Sequence, residues 1–205
     1  KSNRSIKEFH AQIQIQINQN KFTMTINELA LQGKHNQYNT MAAGISGKLL
    51  GLNNENIRES FSDFTTLEHR LEFVAQVHGI EFINDSKATN VNSTWYALES
   101  QTKPVIWIVG GIDKGNDYSL ITDLVKKKVK AIVCLGKDNT RIQQAFSKLV
   151  DIVVNTESMR DCVEMAYRLG NNGDVVLLSP ACASFDLFEN FEDRGNQFKA
   201  RVREL

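Results

Sequence analysis

The run Val105-Ile106-Trp107-Ile108-Val109 has no polar face, so a strand made from it must be covered on both sides. That requirement restricts the fold to a sheet enclosed between helices, and the neighbouring segments obey it. Short strands are expected near Leu71 to Val77 and Glu81 to Ile83, then at 104–109, 130–135, 151–154 and 174–178. Helical periods fall between them, at 91–100, 118–127, 139–148, 157–169 and 185–203. The alternation predicts an α/β fold, a Rossmann-like, doubly wound, mostly parallel sheet over residues 67–205.

Residues 1–66 have a different rhythm. Ile13, Ile15 and Ile17 alternate between His10 and Asn18, and Phe22, Met24 and Ile26 repeat the pattern after Asn18-Gln19-Asn20-Lys21, which predicts a β-hairpin. From Tyr38 onward Ala42, Ala43, Ile45, Leu49 and Leu50 give a helical period that ends near Gly51. Asn54 is positioned to cap a second helix carrying Ile57, Phe61 and Phe64. A hairpin and two helices have little core of their own, so this segment reads as the end of a preceding domain and the chain as a piece of something longer. A hinge is expected between Phe64 and Glu68, where the rhythm changes.

Composition excludes several classes. With 41% hydrophobic residues the chain can build a conventional core, and its 24 basic and 24 acidic residues cancel, which argues against nucleic-acid or anionic-membrane binding through net charge. No apolar run approaches the ~18 residues of a membrane span, and no signal peptide opens the chain, so a cytoplasmic protein is expected. Cys134, Cys162 and Cys182 show no Cys-x-x-Cys spacing, and His10, His35, His69 and His78 offer no paired spacing, so no metal site is expected. Cys134 and Cys162 read as buried hydrophobes, and Cys182 lacks a histidine partner for nucleophilic chemistry. Lys126, Lys127, Lys128 and Lys130 read as a solvated helix end.

Three polar loops follow predicted strands and should converge on one rim, at the carboxyl ends where open α/β sheets bind ligands. Asp85, Lys87 and Thr89 alternate in the first and would face one side of an extended strand end; a structural Asp85–Lys87 pair is the plainer alternative. In the second, Gly110-Gly111-Ile112-Asp113-Lys114-Gly115, the glycines permit a sharp turn that projects Lys114 towards a carboxylate or phosphate, or simply into solvent. In the third, Ser184 could cap the last helix or hold a ligand carboxylate there. Trp95 and Tyr96 read as core. Neither Gly-x-Gly-x-x-Gly, nor the Gly-x-x-x-x-Gly-Lys-Ser/Thr phosphate loop, nor Gly-x-Ser-x-Gly is present.

Leu31-Gln32-Gly33-Lys34-His35-Asn36 with Asn39, Glu68-His69-Arg70, Asn84 to Asn90, Gly110 to Lys114, and Ser179 to Ser184 running into Phe191-Glu192-Asp193-Arg194-Gly195 together resemble the carboxy-terminal part of the bacterial Mur ligases. Asn-Asp-Ser-Lys-Ala-Thr-Asn and Ser-Pro-Ala-Cys-Ala-Ser are nearest to the D-glutamate-adding branch. The resemblance implies an ATP- and Mg2+-dependent, amide-forming ligase of peptidoglycan synthesis, joining D-glutamate to UDP-N-acetylmuramoyl-L-alanine through an acyl phosphate. It makes residues 1–66 the end of the central ATP-binding domain and residues 67–205 the domain that receives the amino acid, in a monomer.

By the same resemblance, Asn36, Asn39, Arg70 and Asp85 would meet ATP, and Thr89, Lys114, Ser184, Phe185 and Phe191 would surround D-glutamate. Lys114 and Lys87, the latter orienting the cluster, would carry the catalytic roles. The uridine-nucleotide domain, the phosphate loop and the family's metal ligands are not in this sequence, so the chain alone is expected to be inactive. A sister ligase that adds another amino acid, or a non-catalytic binding module, is the alternative.

Overall fold

The computed structural model describes residues 12–17, 20–30, 34–64 and 67–205. His10, the turn residues Asn18 and Gln19, and Leu31 to Gly33 of the first motif lie outside the described residues. The chain divides into two compact units, residues 1–66 and 67–205.

In the first unit, β1 (Gln12–Ile17) and β2 (Asn20–Thr25) form the expected antiparallel hairpin, with Ile15 opposite Phe22 and Ile13 opposite Met24. Helix α1 (Lys34–Leu49) begins earlier than the apolar period suggests, and α2 (Asn54–Ser62) is capped by Asn53 rather than Asn54. Asn53 accepts the Asn56 amide at 2.7 Å, leaving Asn54 as the first helical residue. The unit has a small core of Ile13, Ile15, Phe22, Met24, Leu29 and Ile57. Among the described positions of α1 the buried ones are Thr40, Gly44 and Gly47, whereas Ile45, Leu49 and, just beyond the helix, Leu50 are exposed. A Cβ on Gly44 would stand 2.3 Å from the Ile15 side chain, so close packing on the hairpin, and not the apolar period, selects the inward face. Phe64 lies beyond α2 and is exposed.

The second unit is the α/β sandwich that the apolar runs demand. Its strands are β3 (Glu72–Val77), β4 (Ile80–Asn84), β5 (Val105–Gly110), β6 (Val129–Leu135), β7 (Val153–Thr156) and β8 (Val175–Ala181). They stand in the order β3-β4-β8-β5-β6-β7, all parallel except the β3–β4 edge pair. Helices α3 (Val91–Ser100), α4 (Thr122–Lys128) and α5 (Thr140–Phe146) cover one face, and α6 (Met159–Leu169) and α7 (Phe191–Val202) the other.

The two-residue period of a strand sorts its side chains between these layers. Val105, Trp107 and Val109 join Val175 and Leu177 on the α3 side, while Ile106 and Ile108 join Val176 and Leu178 on the α6 side. Each fully buried side chain of this size contributes roughly 1.5–3 kcal/mol relative to exposure. Trp107 is tolerated at the centre because its indole N–H donates to the Ser179 carbonyl at 2.8 Å.

Several local expectations are corrected. The last helix starts at Phe191, not 185: residues 184–190 turn back with the Phe188 amide on the Ser184 carbonyl, and Asn190 caps α7 through the Asp193 amide. Trp95 is only half-buried and Tyr96 is exposed, because α3 turns its Val91, Thr94, Ala97 and Leu98 stripe inward. The lysine cluster is not uniformly solvated. Lys128 donates to the Leu98, Glu99 and Gln101 carbonyls at the end of α3, and Lys130 pairs with Asp174. No helix among the described residues is long and apolar enough to cross a membrane.

Candidate functional site

Strand β8 is inserted between β4 and β5, although α3 connects those two directly, so the strand order switches there. This places the loops after β4, β8 and β5 on adjacent strand ends, the position at which sheets of this class bind ligands.

The first loop is a turn, not an extended strand end: the Ala88 amide bonds the Asp85 carbonyl, and Asn90 caps α3 through the Ser93 amide at 2.8 Å. The expected alternation therefore fails. Asp85 is buried, accepting Ser179 Oγ at 2.9 Å and the Leu71 amide at 3.3 Å, while Lys87 is exposed. Burial pushes the Asp85 carboxyl up to about 7, against the opposing pull of Ser179, the Leu71 amide and Arg70. Lys87 does not pair with Asp85. Its ammonium stands 5.3 Å from the ring centre of Phe191, a cation–π contact between the β4 loop and the start of α7. Thr89 is half-buried just beyond.

The second loop requires its paired glycines. Gly111 has φ +121° and a Cβ there would lie 2.1 Å from the Ala183 carbonyl oxygen. That close approach lets Ile112 and Ala183 exchange backbone hydrogen bonds of 2.8 and 3.1 Å, zipping the β5 loop to the β8 loop. Asp113 then sets the turn around Lys114. One oxygen accepts the Gly115 and Asn116 amides and Arg141, and the other accepts the Tyr118 hydroxyl. Burial alone would raise the Asp113 pKa, but the Asn116 amide, Tyr118, the Gly115 amide and Arg141 outweigh it and hold the carboxyl below its usual range. Lys114 projects, exposed, from the turn that Asp113 fixes.

The third loop keeps Ser184 buried and Phe185 66% exposed. Ser184 does not cap α7, which begins seven residues later. Cys182 sits against the Tyr118 hydroxyl, and burial raises its thiol pKa, so it stays protonated and unreactive. Cys134 and Cys162 are pushed up to about 12 by burial.

Sequence reading singled out no role for Arg194, Ser86 or Asp113. Arg194 is 1% exposed, and a cationic side chain near the opening of a helix ordinarily faces solvent. The segment before β3 is also more structural than its charges suggest. His69 is buried, its Nδ1 lies 3.0 Å from the Asn84 amide nitrogen, and its pKa is lowered mainly by burial. Glu72 accepts from Asn84, the His69 amide and Lys199, while Arg70 is left exposed beside Asp85.

Thus the second unit gathers Lys87, Thr89, Lys114, Ser184 and Phe185 on loops at the strand-order switch, with Phe191 at the start of α7 and Arg70 and Asp85 at one side. Asn36 and Asn39 lie on α1 of the first unit, three residues apart and so neighbours along the helix, half-buried and exposed respectively. An open pocket of about 290 Å³ lies on the β6 side of the β5 loop, between Asp113, Lys137, Arg141 and Asp186, beside the gathered residues rather than among them. Among the described residues, no group of three His, Cys, Asp or Glu side chains could hold a metal ion.

Comparison with known proteins adds a lineage. The family described as "Mur ligase, glutamate ligase domain" matches residues 69–182. The chain is 58% identical over 193 residues to a UDP-N-acetylmuramoylalanine--D-glutamate ligase of Christiangramia forsetii, covering 94% of this chain and 43% of that protein. It is 57% identical over 185 residues to the protein of the same description from Bacteroides thetaiotaomicron, covering 90% and 42%. The chain therefore spans less than half the length of these relatives. Among solved structures, MurF from Acinetobacter baumannii superimposes with a TM-score of 0.68 at 17% identity, over 95% of this chain and 43% of that one. A folylpolyglutamate synthase from Mycobacterium tuberculosis gives 0.63 at 16%, over 85% and 41%; at such identities the likeness is one of fold.

Proposed function

The chain belongs to the Mur ligase family, and we propose that it is the amino-acid-receiving part of an ATP-dependent ligase that joins D-glutamate to UDP-N-acetylmuramoyl-L-alanine in peptidoglycan synthesis. The observation that carries this reading is the convergence of the Thr89, Lys114 and Ser184 loops at the strand-order switch, zipped by the Ile112–Ala183 bridge.

D-Glutamate brings two carboxylates and an amine that must attack an activated acyl group. Lys114 supplies a cation for one carboxylate, and the Ser184 hydroxyl with the Phe185 amide donates to the other. Thr89 adds a hydroxyl, and Phe191, held beneath the Lys87 ammonium, walls the site on the α7 side. Such contacts act by holding the amine in line and by excluding water from the activated acyl group. Activation is the work of ATP, which phosphorylates the UDP-N-acetylmuramoyl-L-alanine carboxylate with release of ADP; the D-glutamate amine then attacks the acyl phosphate, forming the amide and expelling inorganic phosphate. Asn36 and Asn39 are assigned to adenine recognition, and Arg70 and Asp85 to nucleotide binding.

Mg2+ belongs to the same reading, and the described residues contain no cluster of three His, Cys, Asp or Glu side chains to hold it. The reaction is assigned to a cytoplasmic monomer, and the chain without the remainder of the ligase is assigned no turnover.

The test is amide formation by the full-length protein with ATP, UDP-N-acetylmuramoyl-L-alanine and, in turn, D-glutamate, L-glutamate and meso-diaminopimelate. Turnover with D-glutamate alone is expected. Preference for the diamino acid would move the assignment to a sister ligase, and absence of ATP-dependent product with every amino acid would leave a binding module.

A further inference from the structure

We propose that Arg194 is a positioning residue of the amino-acid site, locking the loop after β4, the loop after β8 and the first turn of α7 into one arrangement. The inference rests on the reading that Thr89, Ser184 and Phe191 meet the incoming amino acid.

The Arg194 guanidinium uses all three of its nitrogens. Nε donates to Ser86 Oγ at 3.0 Å, Nη2 to the Ser86 carbonyl at 2.9 Å, and Nη1 to the Cys182 carbonyl at 3.2 Å. Ser86 Oγ passes the connection on, donating to the Phe191 carbonyl at 2.7 Å. One planar fork therefore reaches the residue before Lys87, the residue two before Ser184 and, through a single hydroxyl, the first residue of α7. An ammonium lacks the rigid fork needed to meet these acceptors together.

The charge itself also needs explaining. Arg194 makes no direct ion pair among the described residues; its hydrogen-bond acceptors are two carbonyls and a hydroxyl, and Asp186 acts on it only through space. A buried cation held only by neutral acceptors costs solvation energy. Burial lowers its pKa only to about 10, so the guanidinium remains charged at neutral pH. Behind a rim that receives the carboxylates of an acidic amino acid, this guanidinium keeps the loops in register.

The experiment is steady-state kinetics on the full-length protein carrying Arg194→Lys or Ser86→Ala, with folding followed by thermal melting. Arg194→Lys keeps the charge and loses the fork. It should raise KM for D-glutamate about tenfold or more while KM for ATP stays within about twofold. Ser86→Ala removes one hydroxyl and should raise the same KM about three- to tenfold. If Arg194→Lys does not fold, Ser86→Ala decides alone. Equal rises in both KM values, or an unchanged KM for D-glutamate in a folded, active variant, would overturn the proposal and leave the ligase reading standing. Should the unmutated protein use another amino acid, its KM replaces that of D-glutamate, and the D-glutamate reading falls while Arg194 is still tested. A full-length protein without ligase activity overturns both.

Discussion

Ser179 Oγ donates to the buried carboxyl of Asp85 across 2.9 Å, tying the end of β4 to the interior of β8. The bond is made inside the sheet rather than at its surface, and the burial that accompanies it moves the Asp85 pKa from 3.8 to about 7.

A pH dependence follows, with a definite sign. Between pH 3.8 and about 7 the unfolded chain has released this proton and the folded chain retains it. The folded state therefore binds more protons, and this group's contribution to stability, complete below 3.8, is lost as pH rises through about 7. Asp85→Asn should remove that loss, flattening the profile by at most about 1.4 kcal/mol per pH unit across the window. Urea denaturation of the chain as a function of pH measures it; parallel profiles for the two proteins would refute the assignment.

Gly111→Ala should be destabilising and should also damage the site. The new methyl would meet the Ala183 carbonyl at 2.1 Å, on a backbone with φ +121°. Strain of this kind costs roughly 1–3 kcal/mol, and relief requires the β5 and β8 loops to separate. A lower melting temperature together with weaker amino-acid binding is expected, whereas a stable variant with normal binding would show that the zipped loops can part freely.

Lys114→Met in the full-length protein should weaken D-glutamate with little effect on ATP. A hydrogen bond to a charged group contributes about 1.5–3 kcal/mol, so a rise in KM of roughly 10- to 150-fold is expected. Asp113→Ala should move KM in the same direction by releasing the turn from Gly115, Asn116, Tyr118 and Arg141. Normal D-glutamate kinetics in both variants would remove Lys114 from the site.

Lys128→Met tests a purely structural role. The Lys128 ammonium satisfies the Leu98, Glu99 and Gln101 carbonyls at the end of α3, and its loss leaves them without that donor. A destabilisation of about 1–3 kcal/mol is expected, seen as a lower denaturation midpoint at unchanged slope. An unchanged midpoint would mean that water replaces the ammonium at no cost.

The sandwich was legible because burial on both faces leaves a mark in a single strand. Val105 to Val109 cannot be an edge, and Asp174 to Leu178 repeats the same signature, so strand and helix alternation determined the layers and the end at which the polar loops gather. The glycine pair before Lys114 was legible for a similar local reason: a sharp turn at a strand end needs residues without a Cβ.

What tertiary structure alone decided concerns partners distant in the chain. Asp85, Lys87 and Thr89 have the spacing of one strand face, yet the chain turns at Asp85, burying it beside Ser179 while Lys87 swings to Phe191. Nothing local marks Arg194 for burial, because its acceptors on Ser86 and Cys182 arrive from loops 108 and 12 residues away. The inward face of α1 followed Gly44 and Gly47 instead of Ile45 and Leu49, since closeness of approach there outweighed hydrophobicity. Periodicity reports which surfaces an element must hide; which atoms meet in the hidden space depends on strand order and loop path, which no local pattern contains.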